Sequence, residues 1–113
     1  MSDMQSLYDK LIQIPIPFAY NNFPKDKVPP MPYGVFLTQR ANPFYADGQV
    51  YFIFGRLQVE LYTKRKRIDL ERKIERALDG FAWAKDEEYL SDEKCYVITY
   101  ELEVRDDGDG QQS

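Results

Sequence analysis

Side-chain chemistry near neutral pH leans first on imidazole, and this chain has no histidine. That absence removes the commonest general base, every Ser-His or Cys-His nucleophile pair and all imidazole metal ligands. Cys95 is the only cysteine, so no intramolecular disulfide and no thiolate cluster can form. It lies in a strand-like run, where a buried structural thiol is expected. The six glycines are dispersed, and none opens a helix with the spacing of a phosphate-binding loop. Carboxylates are plentiful: Asp86-Glu87-Glu88, Asp92-Glu93, and Glu101 with Glu103. Two carboxylates suffice for glycoside hydrolysis, but these runs read as solvated loops and a wet strand face. Asp106, Asp107 and Asp109 match the start of a calcium loop in composition only, because no bidentate glutamate follows them. The expectation is therefore a protein that is not an enzyme, with no catalytic residue, no cofactor and no metal site.

Aromatic residues are the second feature with chemical content. They make up 15% of the chain, as nine Tyr, seven Phe and one Trp. Phe44, Tyr45, Tyr51, Phe52 and Phe54 place five rings within eleven positions. Rings in such surplus fill a core or cover an interface, since each buries much area at small rotamer cost. A different use is stacking of single-stranded bases on Phe52, Phe54 and Tyr62 beside the basic run Lys64, Arg65, Lys66 and Arg67. The net charge of −4 and the pI near 4.8 weigh against it, because an acidic surface repels phosphate.

The elements that position these residues follow from periodicity. Ser2 and Gln5 have capping-box spacing, and Met4, Leu7, Tyr8, Leu11 and Ile12 recur at helical intervals, so a helix is expected over 3–13. Pro15 and Pro17 end it. Residues 18–20 read as a short extended piece, and 21–32, with four prolines, as an ordered irregular loop. Tyr33–Arg40 reads as a strand. Asn42-Pro43 and Asp47-Gly48 are turn formers, the second a strong hairpin signal. Gln49–Thr63 reads as one long strand in which Leu57, Val59 and Leu61 alternate with polar positions, and Gly55 suggests a bulge.

A second helix is expected near 68–79. Leu70, Ile74, Ala77, Leu78 and Phe81 form its apolar stripe, and Asp69–Lys73 and Arg72–Glu75 its wet-face pairs. Gly80 closes it. A short strand over 81–84 and a clear one over 95–104 complete the chain. The pattern predicts α+β architecture: an antiparallel sheet with an N-terminal helix and a second helix packed on one face. Residues 1–104 form a single domain, and 105–113 an acidic flexible tail. No basic-plus-apolar leader and no long apolar run is present, which leaves a reducing cytosol and no membrane as the expected setting.

One resemblance adds to this reading. A short helix leads to Tyr20-Asn21-Asn22-Phe23-Pro24, and a Pro-Pro leads into Tyr33-Gly34-Val35-Phe36-Leu37. Then come Phe44-Tyr45-Ala46-Asp47-Gly48, Val50-Tyr51, Val59-Glu60-Leu61-Tyr62-Thr63, a charged helix ending in Leu78, and Cys95-Tyr96-Val97-Ile98-Thr99-Tyr100-Glu101-Leu102. Over roughly residues 5–104 this order resembles tail terminator and tail-completion proteins of long-tailed bacteriophages. The resemblance implies a structural subunit of the virion tail or neck, assembled in the host cytoplasm. It implies a six-fold ring that caps the tail tube and meets the head connector, with DNA passing through and no specific nucleic-acid site. The other readings are a head-completion or neck adaptor, and the nucleic-acid adaptor described above. No family residue maps onto a position here. Chemistry alone nominates Phe23, Pro29, Pro30, Phe44, Tyr45, Tyr51, Phe52 and Phe54 as subunit interface, with the aromatic hairpin of one copy meeting the proline loop of the next.

Overall fold

The computed structural model describes residues 3–40, 44–46, 49–51 and 54–105, and side chains within 5–38 and 55–104. The fold is α+β. Helix α1 spans Asp3–Leu11, and strand β1, Phe18–Tyr20, follows. A proline-rich loop with one 3-10 turn at Lys25–Lys27 leads to β2, Tyr33–Arg40. Then come β3, Phe44–Ala46; β4, Gln49–Tyr51; β5, Phe54–Thr63; α2, Ile68–Ala77; β6, Trp83–Leu90; and β7, Cys95–Arg105. Five strands form one sheet in the order β1-β2-β5-β7-β6, and β3 with β4 forms a separate two-stranded ribbon.

The three strands expected from alternation do pair antiparallel, β2 with β5 and β5 with β7. The sheet is mixed, however, because β1 runs parallel to β2, with Phe18 opposite Gly34 and Tyr20 opposite Phe36. Parallel neighbours need a crossover of a dozen or so residues. The loop over residues 21–32 is that crossover. The Gly34 N–H donates to the Pro17 carbonyl at 2.8 Å, and the Asn21 N–H to the Phe36 carbonyl at 2.8 Å. Gly34 has a steric reason: a Cβ there would overlap the Phe18 ring lying across it.

Alternation sorts the sheet into two faces. The front carries Phe36, Leu57, Val59, Leu61, Ile98, Tyr100, Leu102 and Val104, all buried. Leu7, Leu11 and Ile14 from the N-terminal segment and Leu70, Ile74, Ala77 and Leu78 from α2 close over it as one core. Both helices thus pack on one face. The stripe of α2 is the expected one, and Gly80 takes φ 94° where the chain turns into β6, a backbone state that costs glycine little.

Four local expectations change. The first helix ends at Leu11, short of the expected 13; Tyr8 within it and Ile12 just after it stay 40% and 49% exposed, so the buried side of this segment is the narrower Leu7–Leu11–Ile14 line. Gly55 makes no bulge, because its partners Arg40 and Val104 continue both registers unbroken. The run 49–63 belongs to two sheets, since β4 pairs with β3 and only β5 joins the body. The short strand at 81–84 is instead an eight-residue edge strand, Trp83–Leu90. It carries the acidic run Asp86-Glu87-Glu88, which reads as a loop by composition. Edge strands tolerate such charge, and it discourages pairing with a further strand. Asn42-Pro43, Asp47-Gly48, Phe52, Ser2 and the tail beyond Arg105 lie outside the described residues.

Ile74 is fully buried between α2 and the sheet. Its replacement by Ala should lower the free energy of unfolding by about 2–5 kcal/mol, read from urea denaturation. A loss under about 1 kcal/mol would mean the core closes without it.

Candidate functional site

Two surfaces of the β2–β5 hairpin stand out, one at each end. At the outer end, the ribbon keeps the body's register. Arg40 opposes Gly55 at the last body pair, and four residues further out on each strand Phe44 opposes Tyr51, then Tyr45 opposes Val50 and Ala46 opposes Gln49. Only Asp47 and Gly48 separate the last pair in sequence, the spacing of a two-residue hairpin connection. Among the described residues the ribbon strands lie against each other, and their backbone makes no extensive approach to the helices or the five-stranded sheet. A lone two-stranded hairpin is at best marginally stable in water.

At the inner end, the crossover loop bends over the back face of the sheet. It encloses a cavity of about 480 Å³ lined by Phe23, Met31, Tyr33, Tyr62, Glu60 and Glu93, among others. Tyr33 and Tyr62 are direct cross-strand partners, with ring centroids 4.9 Å apart and nearly parallel. Phe23 stands edge-on to Tyr33 at 5.4 Å. The Tyr62 hydroxyl donates to Glu60 Oε1 at 2.9 Å, and Gln58 Nε2 donates to Glu60 Oε2 at 2.8 Å. Burial and the bond to Glu60 push the Tyr62 phenol far above its ordinary value, so it remains a donor. Cys95 forms part of the floor. Burial, and then the charge of Glu93, push its thiol up, which makes it a poor nucleophile.

The nominated interface residues therefore fall into two separate groups. Phe23 is half-buried in the cavity wall, Pro29 is half-buried and Pro30 is exposed. Phe44, Tyr45 and Tyr51 belong to the ribbon strands, and Phe54 begins β5. Seven residue steps separate the Tyr33 and Arg40 ends of β2, roughly 23 Å at strand rise. The ribbon strands and the proline loop therefore lie toward opposite ends of β2. Of the base-stacking residues, Tyr62 faces Tyr33 and Glu60, Lys66 is held by Glu71 and Glu87, and Arg67 by Asp69; Phe52 and the Phe54 side chain lie outside the described residues.

One polar feature had no sequence signal. Glu71 is buried against the front of the sheet, 2% exposed. Its Oε2 accepts from Lys66 Nζ at 2.7 Å. Its Oε1 lies 2.7 Å from Lys85 Nζ, an ion pair without hydrogen-bond alignment. Lys85 also donates to Glu75 Oε2 at 2.8 Å, an oxygen that accepts from the Tyr100 hydroxyl at 2.8 Å. The expected pairs Asp69–Lys73 and Arg72–Glu75 give way to Asp69–Arg67 and Glu75–Lys85, because β6 brings Lys85 to the helix flank. Alternating charge and bulk reads as a loop until that strand is in place. The arrangement is a clamp between α2 and β6. Among the described residues, no group of three His, Cys, Asp or Glu could hold a metal ion, and no helix is long and apolar enough to cross a membrane.

Against known proteins, the chain matches no family model, and no curated protein matches it at a significant level.

The clamp sets a pH dependence. Burial alone would raise the Glu71 and Glu75 carboxyls, but the Lys66 and Lys85 contacts outweigh it and hold both below the ordinary carboxyl value. A depressed native value stabilises the fold above the unfolded value near 4.5 and is lost as pH falls through the native one. Lys66 and Lys85 are raised despite burial, so their contribution holds below 10.5 and fades above it. Glu71→Gln should cost roughly 2–3 kcal/mol at pH 7, less than orphaning a fully buried ion. The discount reflects the lysines, each 34% exposed and free to rehydrate. Urea denaturation from pH 3 to 8 should also show a shallower acid loss in the variant than in the wild type. Equal slopes would remove Glu71 from the account.

Proposed function

We propose that this chain is a structural subunit of a phage tail. It assembles with copies of itself into a ring that ends the tail tube at the head–tail junction. The observation that carries this reading is the β3–β4 ribbon. It extends the register of the body, is rich in aromatic residues, and among the described residues its backbone makes no extensive approach to any other element. A surface of this kind marks a place where another chain belongs.

The separation of ribbon and crossover loop supports a head-to-tail arrangement. A contact between two different surfaces repeats from copy to copy and closes into a ring when the rotation allows. The ribbon of one subunit reaches the loop around Phe23, Pro29 and Pro30 of the next, and the opposed pair Phe44 and Tyr51 contributes the central contact area. The tail tube protein below and the head connector above are the partners this position demands. Six copies is the number the family resemblance suggests. The absence of histidine and of a phosphate loop suits a part whose work is assembly.

Native mass spectrometry and sedimentation velocity test the reading. The wild type should form one closed oligomer, with six copies expected. The double variant Phe44→Ser with Tyr51→Ser should be a monomer whose unfolding free energy changes by less than about 1 kcal/mol. A wild type that stays monomeric at high concentration, or a variant that assembles as before, refutes it.

A further inference from the structure

The cavity under the crossover loop has a charge that its own chain leaves uncompensated. Two carboxylates, Glu60 and Glu93, line it, and no lysine or arginine does. Glu60 is fixed by neutral donors, Tyr62 and Gln58. Among the described residues neither Glu60 nor Glu93 has an ion-pair partner, whereas Glu71, Glu75 and Glu87 each touch a lysine. Tyr33 senses the imbalance: burial first, then Cys95, Glu93 and Glu60, raise its phenol.

Around these carboxylates stand aromatic and apolar walls, Phe23, Met31, Tyr33 and Tyr62. Carboxylates bind guanidinium through charge-assisted, often bidentate hydrogen bonds. Aromatic faces hold the same group by cation–π attraction and stacking. A volume of about 480 Å³ lies within the range of specific ligand pockets. The cavity is therefore shaped for a cation on an apolar stem, which is an arginine side chain.

The chain carries such a group on the same sheet face at the other end. Arg56 precedes Glu60 by four residues on β5, is exposed, and has no ion-pair partner among the described residues. It lies beside the base of the ribbon, opposite Gln39. A copy that delivers its ribbon to the crossover loop of a neighbour brings Arg56 along.

We propose that the Glu60–Glu93 cavity is the receptor for Arg56 of the adjacent copy. The guanidinium sits between the two carboxylates and against the Tyr33 and Phe23 rings, and so sets the direction in which copies join. This rests on the ring reading above.

The test uses two full-length variants, Glu60→Gln with Glu93→Gln, and Arg56→Gln, the last chosen because Arg56 lies opposite Glu103 of β7. Each alone should self-associate at least tenfold more weakly than the wild type in sedimentation velocity, with unchanged near-ultraviolet circular dichroism and melting midpoint. Mixed one to one, they should form dimers and nothing larger. The intact cavity of one takes the intact Arg56 of the other, and the opposite ends of that pair are both disabled. If the wild type assembles and both variants assemble equally well, or if the mixture stays monomeric, the cavity is not the receptor although the ring stands. If the wild type never assembles, the ring reading fails and this inference fails with it.

Discussion

The parallel pairing of β1 with β2 is the constraint on which the rest of the structure depends. Two adjacent parallel strands cannot be joined by a tight turn, so the chain must cross a face of the sheet. The front face is already taken by α1 and α2, and residues 21–32 pass over the back. Prolines suit that path, since they hold an extended backbone without amide donors that would need partners. Because the crossover lies there, Val35, Cys95 and Val97 are buried on a face that would otherwise be wet, and the cavity exists at all. The close seat of Phe18 on Gly34 locks the pairing from the other side, since any larger residue at 34 would push β1 away.

Much of the front of this molecule was legible in the sequence, and the reason is that one face of each element is uniform. Leu57, Val59 and Leu61, Ile98, Tyr100 and Leu102, and the Leu70–Ile74–Leu78 stripe are periodic enough to identify strands, helix and facing surfaces. The back was less legible because it is made by tertiary arrangement. Nothing local distinguishes Phe18–Tyr20 as a parallel strand. Nothing near Glu93 announces that it shares a cavity with Phe23, seventy residues earlier. β6 was legible only at its start, as a short strand over 81–84, for a related reason: an edge strand is held by hydrogen bonds to one neighbour and needs no apolar face of its own, so Lys85–Glu88 carries no period-two signal. Glu71 reads as an ordinary exposed helix position until β6 supplies Lys85.

Charge is used in two opposite ways on the two faces. On the front, every carboxylate of the α2–β6 clamp has a lysine or a tyrosine hydroxyl against it, and the net effect is to orient a helix on a strand. On the back, Glu60 is held by neutral donors, and among the described residues neither it nor Glu93 is paired with a cation. The first arrangement is complete within one chain. The second leaves negative charge open on the cavity wall.

The acidic edge strand has a further consequence. A sheet ending in Asp86, Glu87 and Glu88 on β6 and in only three residues on β1 offers poor purchase to another strand at either side. Like charges brought edge to edge would repel, and a three-residue strand offers few free amides to a newcomer. Copies crowded together therefore have no easy route to stacking edge to edge into fibres.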